Sequence, residues 1–189
     1  MFSITLSLGY FSWYYRVVIK AEKTTLDGVL LLKPDVHEDF RGKYVSPYNK
    51  VDFQKLGIPV EFVTQDYSIS KKGVLRGLHA DSDNWKLISC HQGEFYFVVV
   101  NCDETSKEFG KWESFTLSGE NHLQVLVPPR FGNGHLALSD NIVFHYLQSN
   151  YYDPKRQSSY RYDDPRFNIE WPIKNPILSP RDEAGKYVE

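Results

Sequence analysis

The sequence predicts an all-β domain, an antiparallel sandwich or barrel with short helices. Three observations carry this. Strand-like runs recur at short intervals, Gly, Pro and Asn cluster between them, and large rings are abundant. Aromatic residues make up 15% of the chain, with 13 Tyr and 12 Phe. Rings of this kind suit a pleated, half-buried surface and a walled pocket better than a helical bundle.

Taken in order, Gly28-Val29-Leu30-Leu31-Leu32-Lys33-Pro34 reads as a strand ended by proline. Phe62 to Ser70 alternates apolar and polar residues. Trp85 to Cys90 is a strand before the turn His91-Gln92-Gly93, and Glu94 to Val100 is a long β-branched and aromatic run. Trp112 to Leu117 meets the turn Ser118-Gly119-Glu120-Asn121, His122 to Val127 stops at Pro128-Pro129, and Ile142 to Leu147 is a further strand. Val51 to Leu56 reads as one or two helical turns. From Tyr151 onward Asp, Pro, Arg and Tyr dominate. Phe167, Ile169 and Trp171 make this segment an irregular arm laid over the barrel rather than a disordered tail.

The 189 residues favour one domain, and 41% apolar content supports a sizeable core. We expect an N-terminal extension at 1–17 and a single domain at 18–189. Met1 to Lys20 has no basic leading region, no small-residue cleavage site, and too polar a run for a membrane span. A net charge of −2 offers no basic face for a nucleic acid polymer. The two cysteines, Cys90 and Cys102, form neither a disulfide framework nor a zinc pattern, so a reducing cytoplasm is the expected compartment.

Four stretches carry a resemblance: Asp39-Phe40-Arg41-Gly42; Gly73-Val74-Leu75-Arg76-Gly77-Leu78-His79; Asp163-Asp164-Pro165 with Ile169-Glu170-Trp171-Pro172; and Pro176-Ile177-Leu178-Ser179-Pro180-Arg181-Asp182. In this order they resemble the dTDP-4-dehydrorhamnose 3,5-epimerase family, from about Val18 to Asp182. The resemblance implies a cupin jelly roll, a homodimer, no cofactor, no metal, and a nucleotide-diphosphate sugar as substrate. It implies inversion at C3, C5 or both, beside a 4-keto group, in deoxysugar biosynthesis for surface polysaccharide.

Epimerisation beside a ketone needs a base for the α-proton, a holder of enolate charge, and an acid on the opposite face. Histidine titrates near neutral pH and suits the first role. The resemblance places the base at His79, with Asp182 behind it to fix its tautomer. It places the enolate-stabilising cation at Lys86 and the opposing acid at Tyr146. It assigns substrate contacts to Arg41, Gln65, Tyr67, Arg76, Asn133 and Arg181, since guanidinium forks fit phosphate oxygens.

The chain departs from the family pattern where substrate is recognised. Tyr67 stands for Asn, Ser46 for Glu, Asn133 for His and Leu147 for Lys. Ala80-Asp81 replaces an aromatic-Gln pair, and the loop to Lys86 is shortened. The Phe131-Gly132-Asn133-Gly134-His135 variant is similar to a branch acting on GDP-linked 4-keto sugars, heptoses included. Three alternatives stay open: a 3,4-ketoisomerase using the same base, a sugar-nucleotide-binding cupin without catalysis, and a metal-dependent dioxygenase. Against the last, Asp81 and Asn133 occupy positions where a metal cupin has His. His37, His91, His122 and His135 are read as surface or packing residues.

Overall fold

The computed structural model describes residues 19–188, so the expected extension at 1–17 lies outside the described residues. Strands β1 (Ile19–Lys23), β2 (Leu30–Pro34), β3 (Val36–Asp39) and β4 (Gly42–Val45) lead into helix α1 (Lys50–Lys55). Then come β5 (Thr64–Ser70), β6 (Leu75–Asp81), β7 (Lys86–Gln92), β8 (Glu94–Asn101), β9 (Trp112–Ser118), β10 (Gln124–Val127), β11 (Phe131–Ala137) and β12 (Ile142–Gln148). A 3-10 turn (Pro154–Arg156), β13 (Gln157–Ser159) and helix α2 (Pro180–Glu183) complete the chain.

The strands form a double-sheet jelly roll. A six-stranded sheet runs β1-β2-β10-β7-β12-β5, a five-stranded sheet runs β13-β6-β11-β8-β9, and β3-β4 is a separate hairpin. The pairings within all three sheets are antiparallel. Each run read as a strand from its pattern overlaps one, although β7 continues through His91 and Gln92, which were read as turn, and the expected helical turn is α1. That helix starts where the Asn49 side chain accepts from the amides of Val51 and Asp52, a cap contributing about 1 kcal/mol.

Strand alternation sorts the core into layers. Phe95, Phe97 and Val99 of β8 meet Ile88, Cys90, Val125 and Phe144 of the facing sheet to fill the interior. Leu87 and Leu126, on the outer face of the six-stranded sheet, pack with Phe53, Ile58 and Val60 beneath α1. Leu78, Ala80 and Val100, on the outer face of the other sheet, are covered by Tyr160 and Phe167, with Ile169 and Trp171 beside them. The C-terminal arm therefore lies over the roll, and the Trp171 indole anchors it by donating to the Tyr162 carbonyl at 2.9 Å. The first of these clusters lies between the sheets, and a polar cavity adjoins it there.

Candidate active site

The cavity, of about 240 Å³, lies between the two sheets. Arg76 and His79 of β6 and Asn133 and His135 of β11 enter it from the five-stranded sheet. Lys86 of β7, Ser68 of β5, and Phe144, Tyr146 and Gln148 of β12 enter from the six-stranded sheet. Tyr152, Gln157 and Arg181 line it from the chain after β12.

A bulge brings Arg76 and His79 to one face. Residues three apart on a regular strand point to opposite sides. Here His79 pairs with Asn133 and Arg76 with His135, so β6 holds one more residue than β11 across that interval. Such an insertion re-aims side chains. Gly77 sits inside it with φ +129°, and a Cβ there would come within 2.5 Å of Gly134 Cα. This explains why Arg76-Gly77-Leu78-His79 has glycine at its second position.

The turn Ser179-Pro180-Arg181-Asp182 supplies the carboxylate behind His79. Ser179 caps α2 by accepting from the Asp182 amide, and Pro180 fits the first helical position. The Ser179 hydroxyl also donates to Asp182 Oδ2 at 2.6 Å. Asp182 Oδ1 lies 2.7 Å from His79 Nε2 and accepts from the Gly77 amide at 3.2 Å. Burial raises the pKa of Asp182, but hydrogen bonds from His79 and Ser179 outweigh this and hold it below the usual carboxylate value. The anion fixes a proton on Nε2 and leaves Nδ1 as the basic nitrogen. His79 keeps 25% of its side chain exposed, while Asp182 keeps 3%.

Lys86 is buried, and its Nζ donates to Asn133 Oδ1 at 3.1 Å. Burial pulls its pKa down to about 8; Asp81 nearby opposes the shift, and Arg181 adds to it. Tyr146 stands on the opposite sheet from His79. Burial and the Asp66 carboxylate raise its phenol above the ordinary value, with Arg76 opposing. Arg76 donates through Nε to Ser70 Oγ at 3.1 Å; Arg181 donates to Ser159 and Gln157. Both guanidiniums remain exposed enough to meet an anion.

Seven of the ten expected site residues thus share one cavity: His79, Lys86, Tyr146, Arg76, Asn133 and Arg181 line it, and Asp182 stands behind His79. Three do not line it. Gln65 and Tyr67 lie on β5 in the opposite alternation to Ser68, so they face outward, Tyr67 with 68% exposure. Arg41 stands on the β3–β4 hairpin, where it forks onto Asp39. The substrate contacts expected of these three residues therefore do not come from the lining of this chain's own cavity. Sequence reasoning also missed His135, placed among packing histidines, together with Ser68 and Gln148. Spacing held a signal: on a strand, residues two apart share a face, so Asn133 and Tyr146 should bring His135 and Gln148 inward. Among the described residues no group of three or more His, Cys, Asp or Glu side chains is placed to hold a metal ion.

A jelly roll whose sheets enclose such a cavity is the cupin architecture, and the solved structures it resembles are epimerases. The profile of the dTDP-4-dehydrorhamnose 3,5-epimerase family matches residues 23–189, and the chain belongs to that family. A dTDP-4-dehydrorhamnose 3,5-epimerase of Shigella flexneri is 39% identical over 172 residues, spanning 88% of this chain and 95% of the relative. The crystal structure of the dTDP-6-deoxy-D-glucose-3,5-epimerase of Legionella pneumophila Philadelphia 1, in complex with dTDP-4-keto-L-rhamnose, is similar. Its TM-score is 0.85 at 36% identity, covering 89% of this chain and 92% of that one. A 3'-monoepimerase from Streptomyces bikiniensis, in complex with dTDP-quinovose, has a TM-score of 0.82 at 28% identity, covering 87% and 85%. The chain is accordingly an epimerase of nucleotide-linked sugars. No helix among the described residues is long and apolar enough to cross a membrane.

Proposed function

We propose that the chain inverts C3, C5 or both beside the 4-keto group of a dTDP-linked 6-deoxy sugar, as a cytoplasmic homodimer serving surface-polysaccharide biosynthesis. One observation carries the reading: His79 and Tyr146 enter a single cavity from opposite sheets, with buried Lys86 also lining it. His79 Nδ1 takes the α-proton, and the C–H electron pair moves onto the ketone oxygen. The Lys86 ammonium, held by Asn133, stabilises that enolate in a dry site. The enolate carbon then takes the phenolic proton of Tyr146 from the other face, and solvent returns a proton to the phenolate and removes one from His79. Asp182 positions His79 and stabilises the imidazolium. Arg76 and Arg181 suit the diphosphate.

The test is a panel of dTDP-, GDP- and CDP-linked 4-keto sugars in deuterated buffer. Deuterium is expected at C3 or C5 of at least one dTDP sugar, and not with His79→Ala. Exchange with no substrate, or undiminished exchange by His79→Ala, defeats the reading. Exclusive turnover of a GDP sugar would reassign the nucleotide. Arg41 is proposed to meet the diphosphate from the partner subunit, since it does not line its own cavity and its hairpin carries Phe40 at 97% exposure.

A further inference from the structure

His135 is a polar ring placed where the cavity runs into the apolar core. It is 3% exposed yet lines the cavity. Its ring stacks on Phe144 at 4.0 Å between centroids, with planes 9° apart, and Phe95 lies 5.4 Å away. Both phenylalanines belong to the main apolar cluster. Among the described residues its Nε2 has no hydrogen-bond partner. A buried polar atom without a partner destabilises the free protein and calls for an explanation.

Packing alone does not supply one, because phenylalanine would make the same stack without the orphaned nitrogen. Charge does not supply one either. Burial, then Arg76 and His79, push its pKa down to about 3, so the ring is neutral and adds no cation. What remains is a hydrogen-bonding group two residues along β11 from Asn133 and cross-paired with Arg76. Resting on the epimerase reading above, we propose that His135 hydrogen-bonds a hydroxyl of the substrate sugar and so selects sugars that carry a hydroxyl at that position. Nε2 is sealed in the free protein, so the sugar's hydroxyl meets it when the ring turns toward the cavity on binding. A pocket built around a polar group rejects an analogue lacking the matching hydroxyl far more strongly than an apolar wall rejects an added one.

The discriminating variant is His135→Phe, which keeps the ring stack and deletes the polar nitrogens. We expect its Tm to stay level or rise by about 2–4 °C, while kcat/KM falls at least tenfold, mainly through KM. A kcat/KM within twofold of the unaltered protein overturns the proposal. A second measurement needs neither a variant fold nor turnover. Protein labelled with ¹⁵N-histidine is titrated with dTDP-glucose, then separately with dTDP. The His135 Nε2 resonance should move for the sugar nucleotide and stay for dTDP. No movement with either, or equal movement with both, defeats the sugar contact. Those results leave deuterium exchange at C3 or C5 intact, whereas absent exchange strikes the epimerase reading instead.

Discussion

At the residue scale the site turns on which nitrogen of His79 carries a proton. Asp182 holds one on Nε2 at 2.7 Å, so Asp182→Asn removes the anion that sets the tautomer. We expect kcat to fall on the order of 10³–10⁴-fold with little change in KM, measured by initial rates on the 4-keto substrate. Lys86 sets the alkaline limit. Its ammonium is lost above about pH 8, whereas Tyr146 titrates above the ordinary phenol value. kcat/KM should therefore decline through pH 8, well before the phenol ionises. Loss of this proton does not itself favour unfolding: the Lys86 pKa drops from 10.5 to about 8 on folding. Between these values the unfolded chain binds the extra proton, so this group's contribution to stability rises with pH. Asn133→Asp places an anion on Lys86 and should shift the limb upward by about 1–3 pH units. A limb unmoved in the pH–rate profile would remove Lys86 from the role. Most of this set was legible because motifs name residues. Motifs do not say on which face of a strand a side chain stands, so the outward side chains of Gln65 and Tyr67 and the inward one of His135 were not legible from them.

At the element scale, long runs of one period were readable and interrupted ones were not. The β8 run Glu94 to Asn101 alternates cleanly between core layers, so its pattern sufficed. β6 and β11 carry the site and read poorly, because β6 is bulged at Gly77 and β11 contains Gly132 and Gly134. The pairing of Asp182 with His79, across 103 residues, was available from resemblance alone, since no local pattern links a capped turn to a distant strand. The bulge is itself testable. Gly77 has φ +129°, and its Cβ would lie 2.5 Å from Gly134 Cα and 2.8 Å from the Asn133 carbonyl oxygen. Both neighbours are backbone and cannot rotate away. Gly77→Ala should destabilise by about 2–4 kcal/mol in urea unfolding. Any folded fraction should lose turnover, because regularising β6 turns Arg76 or His79 out of the cavity. A variant of full stability and full rate would contradict the geometry.

At the scale of the whole molecule the apolar surface is unevenly placed. The β3–β4 hairpin shows Phe40 at 97%, Tyr44 at 69% and Val36 at 41% exposure. The outer side of β5, an edge strand, shows Tyr67 at 68% and Ile69 at 59%. Exposed edges and apolar patches of this kind mark association surfaces. A homodimer covering them would also give Arg41 a task, because in a two-fold assembly each hairpin can complete the other subunit's cavity. We expect a solution mass twice the 22.0 kDa of the chain by light scattering. The sharper prediction is complementation. Arg41→Ala and His79→Ala proteins should each turn over slowly. After subunit exchange, each mixed dimer contains one cavity with an intact His79 and an intact Arg41 from the partner. Random exchange then restores about a quarter of the sites. If Arg41 instead served the cavity of its own chain, every cavity in the mixed dimer would lack one of the two residues. Activity would then stay at the level of the separate variants however long the exchange ran.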